Sequence, residues 1–322
     1  MDRQRIIGLL EPEWSRMTGL IGESLFSDVP LLEKTNGLIL SNAGKMLRPM
    51  LSLLMARSCG EVTDDSIRFA AASEMLHNAT LMHDDVADDS MERRGRPSVM
   101  SLLGPNSAVL VGDFWLAKAV EMVLAGIRHD EVVKLFSKTL TDLAEGEMLQ
   151  LQKASTADTT EEDYCRIIYC KTASLFEAAC VSAAVSVDCR GEYLSAARSY
   201  AVNTGMAFQI KDDILDYAGD ESLGKPVGVD VKEQKITLPL LGALKNSPRE
   251  REIRDMVLNI HAHPEDCETV RNFVMENGGI AYASGQLDEY IANAEKALSP
   301  LPDSVEKEML VELARFNSFR KV

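Results

Sequence analysis

Between residues 66 and 82 apolar side chains crowd most helical faces: Ile67, Ala70, Ala71, Met75, Leu76 and Leu81 stand among few polar positions. Such a pattern predicts a helix buried on most sides. A second run, with Tyr200, Ala201, Val202, Met206 and Ala207, predicts another. Two more helices are expected over residues 5–40, joined around Ser27-Asp28-Val29-Pro30, and one from Pro49 to Cys59. Others follow over 109–123, up to Leu151, over 164–176 after a polar loop at 155–163, and beyond residue 243 with a break at Gly278-Gly279. No alternating run of β-branched residues bounded by Asn-Gly or Asp-Gly turns occurs, so the pattern predicts a mainly α fold. At 322 residues the chain can bury a large core, and no linker-like stretch interrupts it, so one domain over 1–322 is expected.

Both long apolar helices end in acid. The first runs into His83-Asp84-Asp85-Val86-Ala87-Asp88-Asp89, where Asp84 and Asp88 stand one turn apart on one face with Asp85 beside them. The second ends in Lys211-Asp212-Asp213-Ile214-Leu215-Asp216, again with aspartates at i, i+1 and i+4. Carboxylates projecting together need a cation, and oxygen donors alone suit a hard ion such as Mg²⁺, which keeps positions open for an anionic ligand. An EF-hand is excluded, because Asp89 stands where that loop needs glycine and no glutamate follows at its twelfth position. One or two turns beyond the first cluster, Arg93 and Arg94 offer planar forks matched to phosphate, and Gly95-Arg96-Pro97 is expected to stop the helix. A lone DDxxD is more often a solvated helix end. Two copies, each closing an apolar helix and each followed by a basic or glycine-containing segment, point instead to a metal and phosphate site.

Charge narrows the partners further. Fifty acids against 34 bases give a formal charge of −16, which disfavours nucleic acid. Positive charge is local, as at Lys45/Arg48, Arg93/Arg94/Arg96, Lys171 and Lys225/Lys232/Lys235, where a small anion would meet it. Lys45 and Arg48, three residues apart after Gly44, are expected to share one face; Lys171 and Thr172 fall inside an apolar helix; Lys225 and Lys235 lie on a polar loop whose length suggests a lid. Neither GxxxxGK[ST] nor a GxGxxG after a strand occurs, so nucleotide binding is unsupported. The N-terminus lacks a signal peptide's apolar core, and no run of about 18–20 apolar residues is evident, residues 178–187 being the nearest; a soluble cytoplasmic protein is expected. The six cysteines have no CxxC spacing and read as buried, reduced thiols.

In order along residues 44–239, GKMLRP, LHNATLMHDDVADDSMERRGRPS, GDFWLAKA, EGEMLQL, YCKTASLF, FQIKDDILD, LGKPVG and KITLP resemble the motifs of the trans-polyprenyl diphosphate synthases. The resemblance implies the isoprenoid synthase fold, an all-α single-domain helical bundle around a deep central cavity, usually in a homodimer, with the two aspartate motifs facing one another. It implies three Mg²⁺ ions, two on Asp84 and Asp88 and one on Asp212, with Asp85, Asp213 and Asp216 in support. Arg93, Lys171, Thr172, Gln209, Lys225 and Lys235 would contact an allylic diphosphate; Lys45, Arg48, His77 and Arg94 would hold isopentenyl diphosphate. The implied reaction is ionisation of the allylic diphosphate, attack by the isopentenyl double bond and loss of a proton, with released diphosphate as the base. Apolar walls would keep water from the cation.

In short-chain members large aromatics at the fourth and fifth positions before the first aspartate stop growth. Here those positions are Thr80 and Ala79, and each helical turn lowers a side chain by about 5.4 Å. The tunnel is therefore expected to stay open past fifteen carbons, with a floor set by Met122 or Val123 and a heptaprenyl to decaprenyl product (C35–C50) of the kind used for quinone tails. Ala43 before Gly44-Lys45, Met46 before Leu47-Arg48-Pro49, and Gln234 before Lys235 depart from the family pattern without removing a named ligand. Competing readings are a short-chain farnesyl or geranylgeranyl synthase, a terpene cyclase, a non-catalytic partner subunit and a helical scaffold. The intact second motif disfavours the cyclase, and six retained aspartates disfavour the partner subunit.

Overall fold

The computed structural model describes residues 3–93, 95–219 and 228–319. Two compact units, interleaved in sequence, divide the chain. The first comprises Met1–Ser137, Ala178–Ala197 and Pro300–Leu310; the second comprises Lys138–Glu177, Arg198–Ser299 and Val311–Val322.

The first unit opens with α1 (Arg3–Leu9), α2 (Glu13–Ser24) and α3 (Pro30–Ser41), three helices where the pattern predicted two. Pro12 before α2 separates the first pair, and Pro30 starts α3 as predicted. After α4 (Leu47–Cys59) comes α5 (Asp64–Ala87), the helix that carries the first aspartates. Its start is a capping box: the Thr63 hydroxyl accepts the Ser66 N–H, and the Ser66 hydroxyl accepts the Thr63 N–H. Buried Asp65 accepts the N–H groups of Ile127 at 3.1 Å and Arg128 at 2.9 Å, which ties the chain after α7 (Pro105–Leu124) to this end of α5. Gly112 on α7 faces His83; a Cβ there would stand 2.4 Å from its Nε2. The two helices can lie this close because glycine has no side chain.

Helix α5 stops at Ala87, earlier than predicted. Glu92–Arg93 (β1) and Arg96–Pro97 (β2) then pair as a two-residue antiparallel hairpin around Gly95, whose φ is +71°. The glycine signal was read as a helix stop but closes a turn instead. Short α6 (Val99–Leu103) leads into α7.

Helix α8 (His129–Ala154) follows, then α9 (Glu161–Ile168), a π-helical segment (Tyr169–Ala173) and α10 (Ser174–Ser186). An 18-residue stretch within the continuous run Glu161–Ser186 has a mean hydropathy of 1.3, so by length and composition the run could cross a bilayer, contrary to the expectation that none would. That stretch is 89% buried within the protein, as a core helix is. Helix α11 (Gly191–Ala218) carries the second aspartates; α12 (Val229–Lys232), α13 (Leu238–Leu244), α14 (Glu250–Leu258), α15 (Asp266–Glu276), α16 (Gly279–Ala297) and α17 (Val305–Phe319) complete the chain.

In the second unit, glycines on two helices clasp the π segment. A Cβ on Gly146 of α8 would meet Cys170 Cβ at 2.6 Å, and one on Gly205 of α11 would meet Ala173 Cα at 2.6 Å. Ile210, Ile214, Tyr217, Ile236 and Leu240 form part of the core beneath the second acidic cluster. All six cysteines are free; Cys170, Cys180 and Cys189 are buried as expected, while Cys59, Cys165 and Cys267 are half-buried.

Candidate active site

At the end of α5 the three aspartates have different surroundings. Asp85 is buried, and one of its oxygens, Oδ1, accepts from both Nε and Nη2 of Arg93 at 2.6 Å. Burial pushes its carboxyl above the usual carboxylate range in spite of the guanidinium. Asp84 is half-buried; Asp88, the C-cap, is exposed, and its N–H donates to the Asp84 carbonyl at 2.8 Å. One turn earlier His77 is half-buried, and its carbonyl accepts from the Thr80 hydroxyl at 2.9 Å. Ala79 is fully buried and Thr80 half-buried. Met122 and Val123 are buried on α7.

A cavity of about 410 Å³ lies in this unit beside the hairpin. Asn78, Leu81, Met82 and Asp85 of α5 line it with Leu38 and Leu102 opposite, and Ala79 and Thr80 do not. Lys45 precedes α4, whose N-cap is Met46 at φ +50°, so it does not share a helical face with Arg48 as predicted. The left-handed residue between them turns the chain; Lys45 is exposed and Arg48 half-buried.

On α11 the pattern recurs in different chemistry. Buried Asp213 accepts from the Tyr164 hydroxyl at 2.6 Å and from Gln209 Nε2 at 2.9 Å, and Gln209 Oε1 accepts from the Thr172 hydroxyl at 2.7 Å. Burial pushes the Asp213 carboxyl up to about 7, against these hydrogen bonds. Asp216 caps the turn that begins α12: its carboxylate accepts the N–H groups of Val229 at 3.0 Å and Asp230 at 3.1 Å. Asp230 has one oxygen enclosed without a hydrogen-bond partner. Burial, then repulsion from Asp213 and Asp216, raises its carboxyl well above the usual range. Asp212 is half-buried.

Lys171 pairs with Glu147 of α8 at 2.5 Å, both half-buried, so it is neither an unpaired buried cation nor a solvated one. Lys235 pairs with Glu233. Arg94 and Lys225 lie outside the described residues, as do Gly224, Pro226 and Val227 of the lid sequence and the terminal Arg320 and Lys321.

Of the six motif aspartates, therefore, Asp85, Asp213 and Asp216 are bound to protein donors. Asp84, Asp212 and Asp216 are half-buried and Asp88 is exposed. Among the described residues no group of three or more His, Cys, Asp or Glu side chains is placed to hold one metal ion. A hard divalent cation such as Mg²⁺ is commonly held on one or two carboxylates, with water and phosphate oxygens completing the octahedron. The donor set is all oxygen and strongly acidic, which fits this ion and not a soft metal.

Sequence reasoning missed Tyr164, Glu147 and Asp230. Tyr164 carried a signal, the Thr160-x-x-Asp163 capping box that starts α9 and sets its register. The π segment carried none.

The model of the family described as polyprenyl synthetase matches residues 29–274. The chain belongs to the polyprenyl synthetase family. An all-trans-nonaprenyl-diphosphate synthase (geranyl-diphosphate specific) of Rhodobacter capsulatus is 39% identical to this chain over 317 residues, covering 97% of this chain and 96% of that one. The octaprenyl diphosphate synthase of Escherichia coli K12 is 36% identical over 316 residues, 98% of each. A crystal structure of a Caulobacter crescentus polyprenyl synthase complexed with calcium and isoprenyl diphosphate superposes with a TM-score of 0.91 at 34% identity, over 100% of this chain and 98% of that one. The all-α architecture expected from the motifs is thus the fold of this chain.

Proposed function

We propose that this protein is an all-trans polyprenyl diphosphate synthase that condenses isopentenyl diphosphate head-to-tail onto an allylic diphosphate, such as farnesyl diphosphate, to a C35–C50 product for quinone side chains. The observation that carries this reading is the recurrence of one aspartate triplet at the ends of α5 and α11, with the middle aspartate of each buried and held by protein donors, Asp85 by Arg93 and Asp213 by Tyr164 and Gln209. Asp84, Asp88 and Asp212 are assigned to Mg²⁺, and Asp216, half-buried like Asp84 and Asp212, accepts the N–H groups that start α12. Relatives over nearly the whole chain are named for octaprenyl and nonaprenyl products, which supports the long-chain reading over the short-chain one.

Arg93, Lys171, Thr172, Gln209, Lys225 and Lys235 are assigned to the allylic diphosphate; Lys45, Arg48, His77 and Arg94 are assigned to isopentenyl diphosphate. Three Mg²⁺ ions, when bound, supply the charge that stabilises the departing diphosphate. Lys171 and Arg93 each rest on one carboxylate, Glu147 and Asp85, which keeps both side chains in one orientation before a phosphate arrives. Leu81 and Met82, which line the cavity, and the buried apolar residues of α5 contribute the water-excluding wall.

The chain acts as a homodimer in the cytoplasm. Helix α7 leaves Leu110, Val120 and Leu124 exposed along one stripe, an apolar face suited to a second copy, and six free thiols suit a reducing compartment. Thermal unfolding tests the metal and diphosphate reading directly. Mg²⁺ with a bisphosphonate is expected to raise the melting temperature by on the order of 5 °C, and neither alone to do so. No shift with both present favours the helical scaffold.

A further inference from the structure

Asp213 is an acceptor on both oxygens, and that has a directional consequence. Gln209 presents its amide nitrogen to Asp213 at 2.9 Å and its carbonyl oxygen to Thr172 at 2.7 Å. The Thr172 hydroxyl then donates to Gln209. The chain of donors runs one way from Thr172 through Gln209 to Asp213, and from the opposite side the Tyr164 hydroxyl closes it at 2.6 Å. Tyr164 is buried, 2% exposed, on the first turn of α9, the helix that precedes the π segment. Thr172 and Lys171 sit in that segment, which Gly146 and Gly205 grip from two sides. Burial and the neighbouring Asp213 raise the Tyr164 phenol well above its ordinary range, so its proton stays on oxygen as the donor.

We infer that Tyr164 is a positioning residue for the metal-dependent diphosphate site: its hydroxyl holds Asp213 turned toward Gln209 and away from the ligand, which fixes Gln209 and Thr172 and leaves Asp212 as the metal-facing carboxylate of the second motif. Neither the phenol nor Asp213 touches the substrate in this scheme. The inference rests on the proposed synthase reading, and the experiment separates the two.

Calorimetric titration of the full-length protein with inorganic pyrophosphate, with and without Mg²⁺, is the measurement. If the parent protein shows no Mg²⁺-dependent binding, the synthase reading itself fails. If it does, Tyr164→Phe, which removes one oxygen and leaves the ring, is expected to weaken Mg²⁺-dependent binding about tenfold and to change Mg²⁺-free binding less than twofold. In turnover, KM for the allylic diphosphate should rise by a similar factor while KM for isopentenyl diphosphate stays within twofold. A residue that merely fills the core lowers the melting temperature and moves both KM values together, and that result overturns the inference, as does unchanged pyrophosphate affinity. Placing 4-aminophenylalanine at position 164 restores a para N–H donor and should recover binding to within twofold; failure to recover contradicts the inference. Should the phenylalanine variant not fold, Asp213→Asn replaces it, and unchanged Mg²⁺-dependent affinity there overturns the role equally, because the proposed role acts through the Asp213 carboxylate that accepts the Tyr164 hydroxyl.

Discussion

Asp84→Asn is expected to lower turnover about 1,000-fold at saturating Mg²⁺. The change removes one formal charge and no volume from a half-buried side chain near the C-terminal end of α5. A metal that loses a carboxylate ligand gives up several kcal/mol of transition-state charge stabilisation, and about 4 kcal/mol corresponds to three orders of magnitude in rate. Folding should hardly notice. Asp84, Asp85 and Asp88 stand at the negative end of a helix dipole, where each acid costs about 0.3–1 kcal/mol unless a cation offsets it. Removing one such charge leaves the melting temperature of the metal-free protein within a few degrees of the parent. Steady-state kinetics across a Mg²⁺ titration, with thermal unfolding alongside, checks both halves. A variant within tenfold of the parent rate would remove Asp84 from the metal site.

Ala79→Phe is expected to shorten the product by several isoprene units. Ala79 lies five residues before Asp84, about 7.5 Å lower along α5 at 1.5 Å per residue, and it is fully buried. Phenylalanine there must push into space that a growing chain would otherwise use, or into the packing against it, at a stability cost of about 1–3 kcal/mol. Thr80, half-buried and tied to the His77 carbonyl, cannot make way by rotating without losing that hydrogen bond. Chromatography of the dephosphorylated products of parent and variant gives the answer, and unchanged length would show that Ala79 does not face the chain.

How much of this was legible beforehand differs from element to element. Helix α5 was readable because its apolar positions fill most faces and its end breaks a local rule: three acids at a helix C-terminus are unfavourable there and so mark function. The same logic identified the acidic end of α11. The hairpin at Glu92–Arg93 and Arg96–Pro97 was not readable as strand, because a two-residue pair has no alternation to detect, and its Gly95 serves a helix stop as well as a turn. Lys45 and Arg48 were placed on one face by spacing alone; a left-handed Met46, a conformation that spacing does not encode, separates them. Local spacing also could not show that Asp213 meets Tyr164, 49 residues away, or that Lys171 meets Glu147 across two helices. Those partners come from tertiary packing around glycines 146 and 205, whose small size was visible and whose neighbours were not.

The most direct test of the synthase reading is product analysis. Purified protein is incubated with farnesyl diphosphate, labelled isopentenyl diphosphate and Mg²⁺, and the dephosphorylated product is sized by chromatography. A ladder ending at thirty-five to fifty carbons, absent when Mg²⁺ is chelated, is the predicted result; growth that stops at fifteen or twenty carbons would contradict the long-chain assignment, and no condensation at all would contradict the enzyme.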